Sequence, residues 1–421
     1  MRILSLAFVL CPVVVAAASF KAGFARTDIT PPVGYPMGGY SDRKGASTGV
    51  HDPLFATVAV LKSANESLAI VTLDLRSFPS QRVVDRARTE LGIAHVMLCS
   101  SHNHSGPLTW EDKSWPTSEK SWFAETEEKI VAAIAKANRS LFNARLQTAP
   151  GEVYLGHNRR LVGADGQVTM FWRNEERKPT SPVDPSVKIV RVTDSAGQSR
   201  GVLVNYACHG VNLGPDNRQI SADWPGYMRK EIEKALGKNS YCLFLQGAAG
   251  DINPFLDKQP VDKGGFQAAQ DSGHLIAAEV QRVLKEMPKA SAKKAELRIR
   301  EDLLKIPNRW EADKIIPVGL ITVLIGDDIA ISGWPGEPFV NFQIALADQS
   351  PLPNTMLVGY CFSAGGVWAG YFPTIQAAIE GGYGAGYNTT VAVGAGEQLL
   401  RLSLRRIHEI RGNLKPIPTD D

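Results

Sequence analysis

The sequence lacks a charge excess of either sign, a second long apolar run and closely spaced cysteines. Its 46 Lys and Arg residues exceed its 43 Asp and Glu residues by only three, which excludes a typical nucleic-acid-binding surface. No stretch after residue 18 approaches the roughly 20 apolar residues that a membrane-spanning helix needs. The five cysteines include no CxxC pair, so we expect buried, structural thiols and no thiolate zinc site.

What the chain does have is the composition of an ordinary globular protein. Hydrophobic residues make up 44% and charged residues 21%, which excludes a disordered chain and provides for a sizeable core. The 38 glycines and 26 prolines indicate many tight turns, as in an enzyme with long ordered loops.

The first 18 residues have the pattern of a secretory signal peptide. Met1 and Arg2 give a positive start, residues 3–18 carry no charge, and three alanines close the run at residues 16–18. The run is short for a membrane span and ends in small residues, so we expect cleavage and a secreted or periplasmic protein. An uncleaved anchor is the alternative. We expect a single catalytic domain over residues 19–412 and a frayed tail over residues 413–421.

Apolar runs of strand length alternate with helical patterns along the chain, which predicts an α/β fold of mixed sheets layered with helices in one large domain. Strands are predicted at residues 56–61, 68–73, 96–99, 201–208 and 241–245, with a hairpin formed by 316–324 and 328–332. Helices are predicted at residues 82–91, 122–138, 225–235, 266–285 and 396–410.

The strongest local signal is a His-x-His pair at the end of a predicted strand. His102 and His104 follow the apolar run that ends at Cys99, and in an extended segment both imidazoles point to the same side. Such a pair suits a metal ion, or a metal ion beside an acid–base group. The alternative is two polar loop residues without a shared role.

His209 also follows a predicted strand, where it could be a metal ligand or a satisfied core residue. Downstream, Asp223 precedes a helix, and it could either cap that helix or hold a ligand imidazole. Glu337 follows the predicted hairpin, either as a functional carboxylate or as a favourable charge at a helix start.

Two further segments are less specific. The glycine-rich run at residues 247–250 follows a strand, but no GK[ST] comes after it, so it is not a phosphate-binding loop. The aromatic, glycine-rich stretch at residues 359–387 contains Tyr371, Tyr383 and Tyr387 and on its own indicates loop packing.

In this order the segments resemble the neutral (alkaline, non-lysosomal) ceramidase family. The matching motifs lie at residues 23–31, 37–40, 49–52, 101–107, 158–159, 208–210, 250–254 and 335–337. The run Ser-His-Asn-His-Ser-Gly-Pro at 101–107 is the most specific of them. The resemblance extends from about residue 20 to near the end of the chain.

This resemblance implies a zinc amidase. The metal ligands it implies are His102, His209, Glu337 and Tyr371, where Tyr371 is assigned from its twelve-residue spacing to Tyr383. His104 matches the family's catalytic histidine, Arg159 its active-site arginine and Tyr383 a second active-site tyrosine. Asn253 stands where the family has a serine, so a serine nucleophile is excluded, and we expect Asn253 to orient water or substrate. We also expect no C-terminal immunoglobulin-like domain, which the family carries.

The sequence therefore predicts an exported Zn²⁺-dependent amidohydrolase. A zinc-activated water would cleave the N-acyl amide bond of ceramide or of a related small-molecule or lipid N-acyl amine. One alternative is an HxH metallohydrolase of the TIM-barrel type, although that pair normally closes the first strand of such a barrel. The other alternative is a non-catalytic surface or carbohydrate-binding protein on the same scaffold.

Overall fold

The computed structural model describes residues 20–109, 117–287, 295–311, 313–363 and 365–414 of the chain. The predicted signal peptide at residues 1–18 and most of the predicted tail lie outside these residues.

Short strands and seven helices alternate through the described residues. The strands are β1 Lys21–Asp28, β2 Gly49–Val50, β3 Phe55–Lys62, β4 Ser67–Leu73, β5 His95–Ser100, β6 Phe142–Asn143, β7 Arg145–Glu152, β8 Gly156–Asn158, β9 Arg160–Val162, β10 Val168–Met170, β11 Ser186–Thr193, β12 Ser199–Tyr206, β13 Gln219–Ile220, β14 Tyr241–Gln246, β15 Ile252–Pro254, β16 Leu297–Pro307, β17 Ile315–Ile325, β18 Ile329–Gly333, β19 Glu337–Pro338, β20 Asn354–Val358, β21 Cys361–Phe362 and β22 Tyr371–Phe372. The helices are α1 Gln81–Leu91, α2 Thr117–Arg139, α3 Asp223–Leu236, α4 Gly265–Glu286, α5 Val340–Gln349, α6 Ile375–Glu380 and α7 Ala395–Arg411.

Three larger sheets carry the fold. One has six strands in the order β21-β5-β4-β3-β1-β6, and two have four, in the orders β14-β12-β11-β7 and β16-β17-β18-β20. Each sheet mixes directions, since β4–β5, β12–β14 and β18–β20 are parallel and the remaining pairs are antiparallel. The described residues also form two-stranded ribbons, among them β8–β15 and β19–β22.

The three sheets share one apolar core and carry helices on their outer faces. Side chains from all three sheets meet in that core, including Leu61, Leu203 and Ile321. The other face of the six-stranded sheet packs on α1 and α2. The outer face of the second sheet packs on α3 and α4, and that of the third packs on α5 and α7.

Alternation along the strands explains this layering. In β12, Val202, Val204 and Tyr206 point to the helix side, whereas Leu203 points to the shared core. Because successive residues of a strand face opposite sides, strands that are apolar throughout have to be covered on both faces. Nearly continuous apolar runs in the sequence therefore correspond to sheets buried between other layers.

The predicted fold class is confirmed, and each predicted helix and strand overlaps an observed one. The TIM-barrel alternative is wrong, because the described strands form open sheets of six and four strands and no closed barrel. Cys99, Cys208, Cys242 and Cys361 are free and buried. Across the part of the chain described here, no helix combines the length and apolar character needed to cross a membrane.

Candidate metal centre and its cavity

Each of the three larger sheets delivers one side chain to the same point. His102 lies two residues beyond β5 of the six-stranded sheet, and His209 lies three residues beyond β12 of the second sheet. Glu337 lies four residues beyond β18 of the third sheet. Since these strands share a core, their carboxyl ends bring the three residues together. We call this group the metal corner.

The metal corner is buried, and its donor atoms converge. His102 and His209 are each 1% exposed, and Glu337 is 2% exposed. Oε2 of Glu337 lies 3.3 Å from Nε2 of His102 and 3.4 Å from Nε2 of His209. Donor atoms around a tetrahedral zinc ion, each ~2.0–2.1 Å from the metal, lie about 3.3 Å from one another. The observed spacing matches that arrangement.

Backbone carbonyls fix the orientation of both imidazoles. Nδ1 of His102 lies 3.0 Å from the carbonyl oxygen of Arg76, and Nδ1 of His209 lies 3.1 Å from that of Ile252. A neutral imidazole that donates through Nδ1–H keeps its Nε2 lone pair for another partner. Among the described residues, Nε2 of His209 and Oε2 of Glu337 have no hydrogen-bond partner. Two imidazole nitrogens and a carboxylate oxygen form a donor set that suits zinc.

The electrostatics keep these groups in the forms that bind a cation. Burial lowers the pKa of His209 to about 4, and the neighbouring Arg159 and His102 act in the same direction. Burial alone would raise the pKa of Glu337, but the adjacent His102 and His209 hold it well below its usual value. At neutral pH the metal corner therefore presents a neutral imidazole at His209 and an ionised carboxylate.

His102 is held by an aromatic pair and an unusual backbone conformation. Its φ is +58°, and that of Tyr360 is +53°, both in the left-handed region that non-glycine residues rarely adopt. The Tyr360 ring lies 4.3 Å from the His102 ring, and the Trp368 ring lies 6.0 Å away and nearly parallel to it. The amide of Ser100 donates to the carbonyl of Tyr360, which joins the two segments.

His104 lies beside the metal corner, at the edge of the cavity. Its ring is 4.8 Å from the His102 ring, and donor atoms of His102, His104 and His209 all lie within 4.8 Å of one another. This wider spacing makes the three histidines a looser ligand set than the metal corner. Within the described residues both ring nitrogens of His104 lack a hydrogen-bond partner, and burial lowers its pKa well below the ordinary value.

The motif at residues 37–40 makes room for His104. Gly39 has φ +103°, and a Cβ there would lie 2.6 Å from Cβ of His104. The ring of the next residue, Tyr40, packs edge-on to the His104 ring at 5.0 Å. Glycine is therefore required for two reasons, the backbone conformation and the contact.

Arg159 links the metal corner to the other side of the cavity. It donates to Oδ1 of Asn253 at 3.1 Å, to the carbonyl of Gly250 at 2.6 Å and to the hydroxyl of Tyr371 at 3.3 Å. Its guanidinium lies 5.1 Å from the Trp172 ring and 5.3 Å from the Tyr383 ring. The pKa of Arg159 is raised, since Tyr371 and Glu337 outweigh the effect of its burial. The group is cationic at all working pH values.

Tyr371, Tyr383 and Asn253 complete this side, which we call the cavity wall together with Arg159 and Trp172. Tyr371 is the register partner of Glu337 in the β19–β22 ribbon, and its ring lies 5.6 Å from that of Tyr383. Nδ2 of Asn253 donates to Oδ2 of Asp257 at 2.8 Å. The twelve-residue spacing thus brings both tyrosines to one place, whereas Tyr387 is mostly exposed on the surface.

A cavity of about 320 Å³ opens between these groups. His104 and His209 line it, together with all five residues of the cavity wall. Its size lies at the lower end of the range for small-molecule sites, which are typically ~300–1,000 Å³. Convergent polar groups beside aromatic side chains are what a ligand site of this kind requires.

Two buried acids hold the site's backbone. Asp223 accepts hydrogen bonds from the backbone N–H groups of Asn212, Leu213 and Trp224. Asp223 therefore binds the backbone that follows His209. It does not bind the His209 imidazole, whose Nδ1 contacts the Ile252 carbonyl. The N-cap of α3 is Ala222 and not Asp223. Both interpretations that the sequence allowed for Asp223 are therefore wrong. Burial raises its pKa to about 6, although the backbone N–H groups oppose the shift.

Asp251 accepts from the amide of Val340 and from the side chain of Asn158, which ties α5 to the ribbon before Arg159. The preceding Gly250 packs on the segment of the metal corner, where a Cβ would lie 2.6 Å from the carbonyl oxygen of Glu337. The glycine-rich loop therefore serves close packing of two backbones.

Several site residues carried no sequence signal. Trp172 and Lys258 line the cavity, and Tyr360 and Trp368 pack on His102. Tyr360 and Trp368 lie in the aromatic stretch at residues 359–387, which the sequence associated with loop packing only. Trp172 and Lys258 lie outside every recognised motif.

The sequence model described as "Neutral/alkaline non-lysosomal ceramidase, N-terminal" matches residues 20–289, well over half of the chain. The chain belongs to the neutral/alkaline non-lysosomal ceramidase family. Its relatives include the neutral ceramidase of Drosophila pseudoobscura pseudoobscura, 24% identical over 264 residues, 57% of this chain and 36% of that protein. The neutral ceramidase of Mycobacterium tuberculosis is 26% identical over 247 residues, 52% of this chain and 38% of that one. The matched part thus spans well under half the length of these ceramidases.

The fold is also that of a ceramidase of known structure. The neutral ceramidase from Pseudomonas aeruginosa superposes with a TM-score of 0.76 over 96% of this chain and 76% of that one, at 18% identity. A ceramidase complexed with C2 gives a TM-score of 0.75 at 18% identity, with 96% and 77% of the two chains covered.

Proposed function

We propose that this protein is an exported, zinc-dependent amidohydrolase that cleaves the N-acyl amide bond of ceramide or of a related N-acylated amine. One observation carries the proposal. Nε2 of His102 and Nε2 of His209 lie 3.3 and 3.4 Å from Oε2 of Glu337 at the edge of a cavity, and the three residues follow strands of three different sheets. The Nδ1 atom of each imidazole already contacts a backbone carbonyl, which fixes the orientation of the ring. Membership of the ceramidase family supports the choice of substrate bond.

His102, His209 and Glu337 would hold the zinc ion, with Tyr371 as a fourth residue next to Glu337. When bound, zinc supplies Lewis acidity, which makes water a competent nucleophile near neutral pH and polarises a carbonyl group. The remaining chemistry is left to the residues around the cavity. They have to bind the amide, stabilise the negative charge that develops on its oxygen and protonate the leaving amine.

His104 is the residue best placed to move a proton. Its nitrogens have no partner among the described residues, and its lowered pKa keeps the ring neutral at pH 7. A neutral imidazole can take a proton from water and return it to the amine nitrogen as the C–N bond breaks.

Arg159 and Tyr383 would stabilise charge on the carbonyl oxygen. Arg159 is cationic, 4% exposed and fixed by three hydrogen bonds, so its orientation costs no reorganisation during the reaction. Asn253 positions Arg159 through its Oδ1 and cannot act as a nucleophile. The proposal therefore requires direct attack by water and no acyl-enzyme.

Metal analysis and substrate screening on one preparation test the proposal. We expect about one zinc ion per chain and hydrolysis of N-acylsphingosine or another N-acyl amine, with both lost in His102→Ala. The matched control is His274→Ala, since His274 is 68% exposed on α4 and binds Glu231. A zinc-free protein with full amidase activity would refute the metal role. Ligand binding without turnover would instead support the non-catalytic binding protein.

Export is a separate part of the proposal and rests on residues 1–18. We expect the mature chain to begin near residue 19 and to be found outside the cytoplasmic membrane. Intact mass of the protein from a native host and its cell fraction decide this point.

A further inference from the structure

The cavity carries more positive than negative side chains. Arg159, Arg173 and Lys258 line it, against a single lining carboxylate, Asp42. Asp257 lies behind Lys258 and adds one further negative charge. Arg159 is assigned to the amide oxygen, so a neutral lipid amide leaves Lys258 and Arg173 without a substrate group to bind. A negatively charged group on the substrate would provide one, since charge complementarity contributes to recognition in partly buried sites.

Lys258 is a second lining cation with fixed contacts. Its Nζ lies 2.6 Å from Oδ2 of Asp257 and 4.5 Å from the centre of the Trp172 ring. Its side chain is 28% exposed, so it is held in place and still open to the cavity. An ammonium group carries three N–H donors, and the ion pair with Asp257 takes one of them.

The backbone around Lys258 is fixed as well. Its φ is +51°, in the left-handed region. Its amide donates to the carbonyl of Val211 at 2.8 Å, and its carbonyl accepts from Nη2 of Arg173. A non-glycine residue held in a strained conformation beside a cavity is a feature found at ligand sites. Arg173 is thereby placed next to Lys258 at the same edge.

A short chain of hydrogen bonds connects Lys258 to the residue proposed to bind the amide oxygen. Lys258 and Asn253 both donate to Oδ2 of Asp257, and Asn253 accepts from Arg159. Arg159 and Lys258 also lie against the same Trp172 ring, 5.1 and 4.5 Å from its centre, so an anion at Lys258 is near an amide bound at Arg159. Because the acyl chain of a lipid amide is a hydrocarbon, a nearby acidic group belongs to the amine portion.

We infer that the substrate is an N-acylated amine whose amine portion carries an acidic group, as in N-acyl amino acids, and that Lys258 is the residue that selects it. This inference rests on the proposed amidohydrolase function and narrows it. Trp172, under the ammonium, fixes the position of Lys258, and Arg173 adds a second positive charge at the rim.

Three substrates that differ in one terminal group test the inference. N-dodecanoyl-β-alanine carries a carboxylate, N-dodecanoyltaurine a sulfonate and N-dodecanoylethanolamine a neutral hydroxyl. We expect kcat/KM for the two acids to exceed that for the ethanolamide by roughly ten- to hundredfold, the effect of one charge-assisted contact. The relative rates of the two acids show whether the site prefers a carboxylate or a sulfonate. Equal or faster hydrolysis of the ethanolamide overturns the inference and leaves the amidohydrolase proposal intact.

Variants assign the effect to Lys258. We expect Lys258→Gln to reduce the ratio of acidic to neutral turnover by roughly tenfold or more, and Lys258→Arg to retain much of it. The matched control is Lys238→Gln, an exposed lysine beyond α3. Circular dichroism and zinc content check that each variant is folded. An unchanged ratio in folded Lys258→Gln overturns the role of Lys258.

A binding measurement separates the two proposals. In the full-length His104→Ala protein, calorimetry should show tighter binding of N-dodecanoyl-β-alanine than of the ethanolamide, and adding Lys258→Gln should remove the difference. If no amide is cleaved by the wild type but this difference is present, the amidohydrolase proposal fails while recognition of an anion at Lys258 stands. If binding shows no difference, the inference fails.

Discussion

The metal corner and the cavity wall are built in different ways. The residues of the metal corner follow strands of the three larger sheets, whose ends are positioned by the common core, and Glu337 in addition pairs with Tyr371 in the β19–β22 ribbon. The residues of the cavity wall belong to the short ribbons β8–β15 and β19–β22 and to loops, and they are held by hydrogen bonds and ring contacts. Side chains of the cavity wall other than Tyr371 can therefore be replaced without disturbing the core or the proposed metal ligands, which would allow the substrate preference to change separately.

The largest effect should come from breaking the metal corner. We expect Glu337→Gln to reduce kcat/KM on the order of a thousandfold or more and to remove stoichiometric zinc, because it deletes the anionic ligand. Zinc analysis and initial rates measure both. Glu231→Gln, which changes a carboxylate that is paired with His274 and does not line the cavity, should leave both unchanged. Full zinc content in Glu337→Gln would contradict the ligand assignment.

A substitution in the cavity wall should separate catalysis from metal binding. We expect Arg159→Met to lower kcat roughly a hundred- to thousandfold, as for the loss of a charge-stabilising donor, with zinc content unchanged. Arg282→Met, at an exposed arginine of α4, is the control. If Arg159→Met also loses zinc, the two regions are not independent and the comparison fails.

The pH dependence of stability tests how the His209 segment is attached. Since burial raises the pKa of Asp223 from 3.8 to about 6, the folded chain keeps a proton that the unfolded chain releases between these values. The contribution of Asp223 to the free energy of unfolding therefore falls as pH rises from 4 to 6, by about 2 kcal/mol out of the ~3 kcal/mol that the full pKa shift represents.

Chemical denaturation at several pH values measures this contribution as the difference between wild type and Asp223→Asn. Asp271→Asn, at an exposed acid of α4, should follow the wild type at every pH. If the difference in unfolding free energy between wild type and Asp223→Asn stays constant from pH 4 to 6, the assigned pKa is contradicted.

The smallest effect is expected at Asn253. Replacing it by serine removes the bridge between Arg159 and Asp257, because the hydroxyl is too short to reach both. The loss of hydrogen bonds worth ~1 kcal/mol each predicts a decrease in kcat/KM of up to about tenfold. An increase in rate, or an acyl-enzyme detected by mass spectrometry, would show instead that the cavity wall supports a serine nucleophile at this position.

The sequence predicted the elements of the fold, and it singled out the three residues that the structure brings together in the metal corner. Apolar periodicity located the strands. Histidines shortly after two of these strands indicated which strand ends form the candidate site. The resemblance to the family assigned roles to Glu337, Arg159 and the tyrosines, which local patterns left open or did not assign. The sequence could not show which groups each buried acid binds. Asp223, for example, accepts hydrogen bonds from backbone N–H groups ten and eleven residues earlier in the chain. Nor could it place Trp172 or Lys258, whose role depends on loops that only the folded chain brings to the cavity.

The metal corner takes one donor residue from the end of each sheet, so its geometry depends on how the three sheets are aligned. A shift of a single residue along one strand moves its end by ~3.3 Å, more than the ~2 Å from a zinc ion to its ligands. The ion would thus be captured only when all three layers have docked in their final arrangement. Metal uptake would then report the last step of assembly, and an occupied centre would lock the layers against sliding.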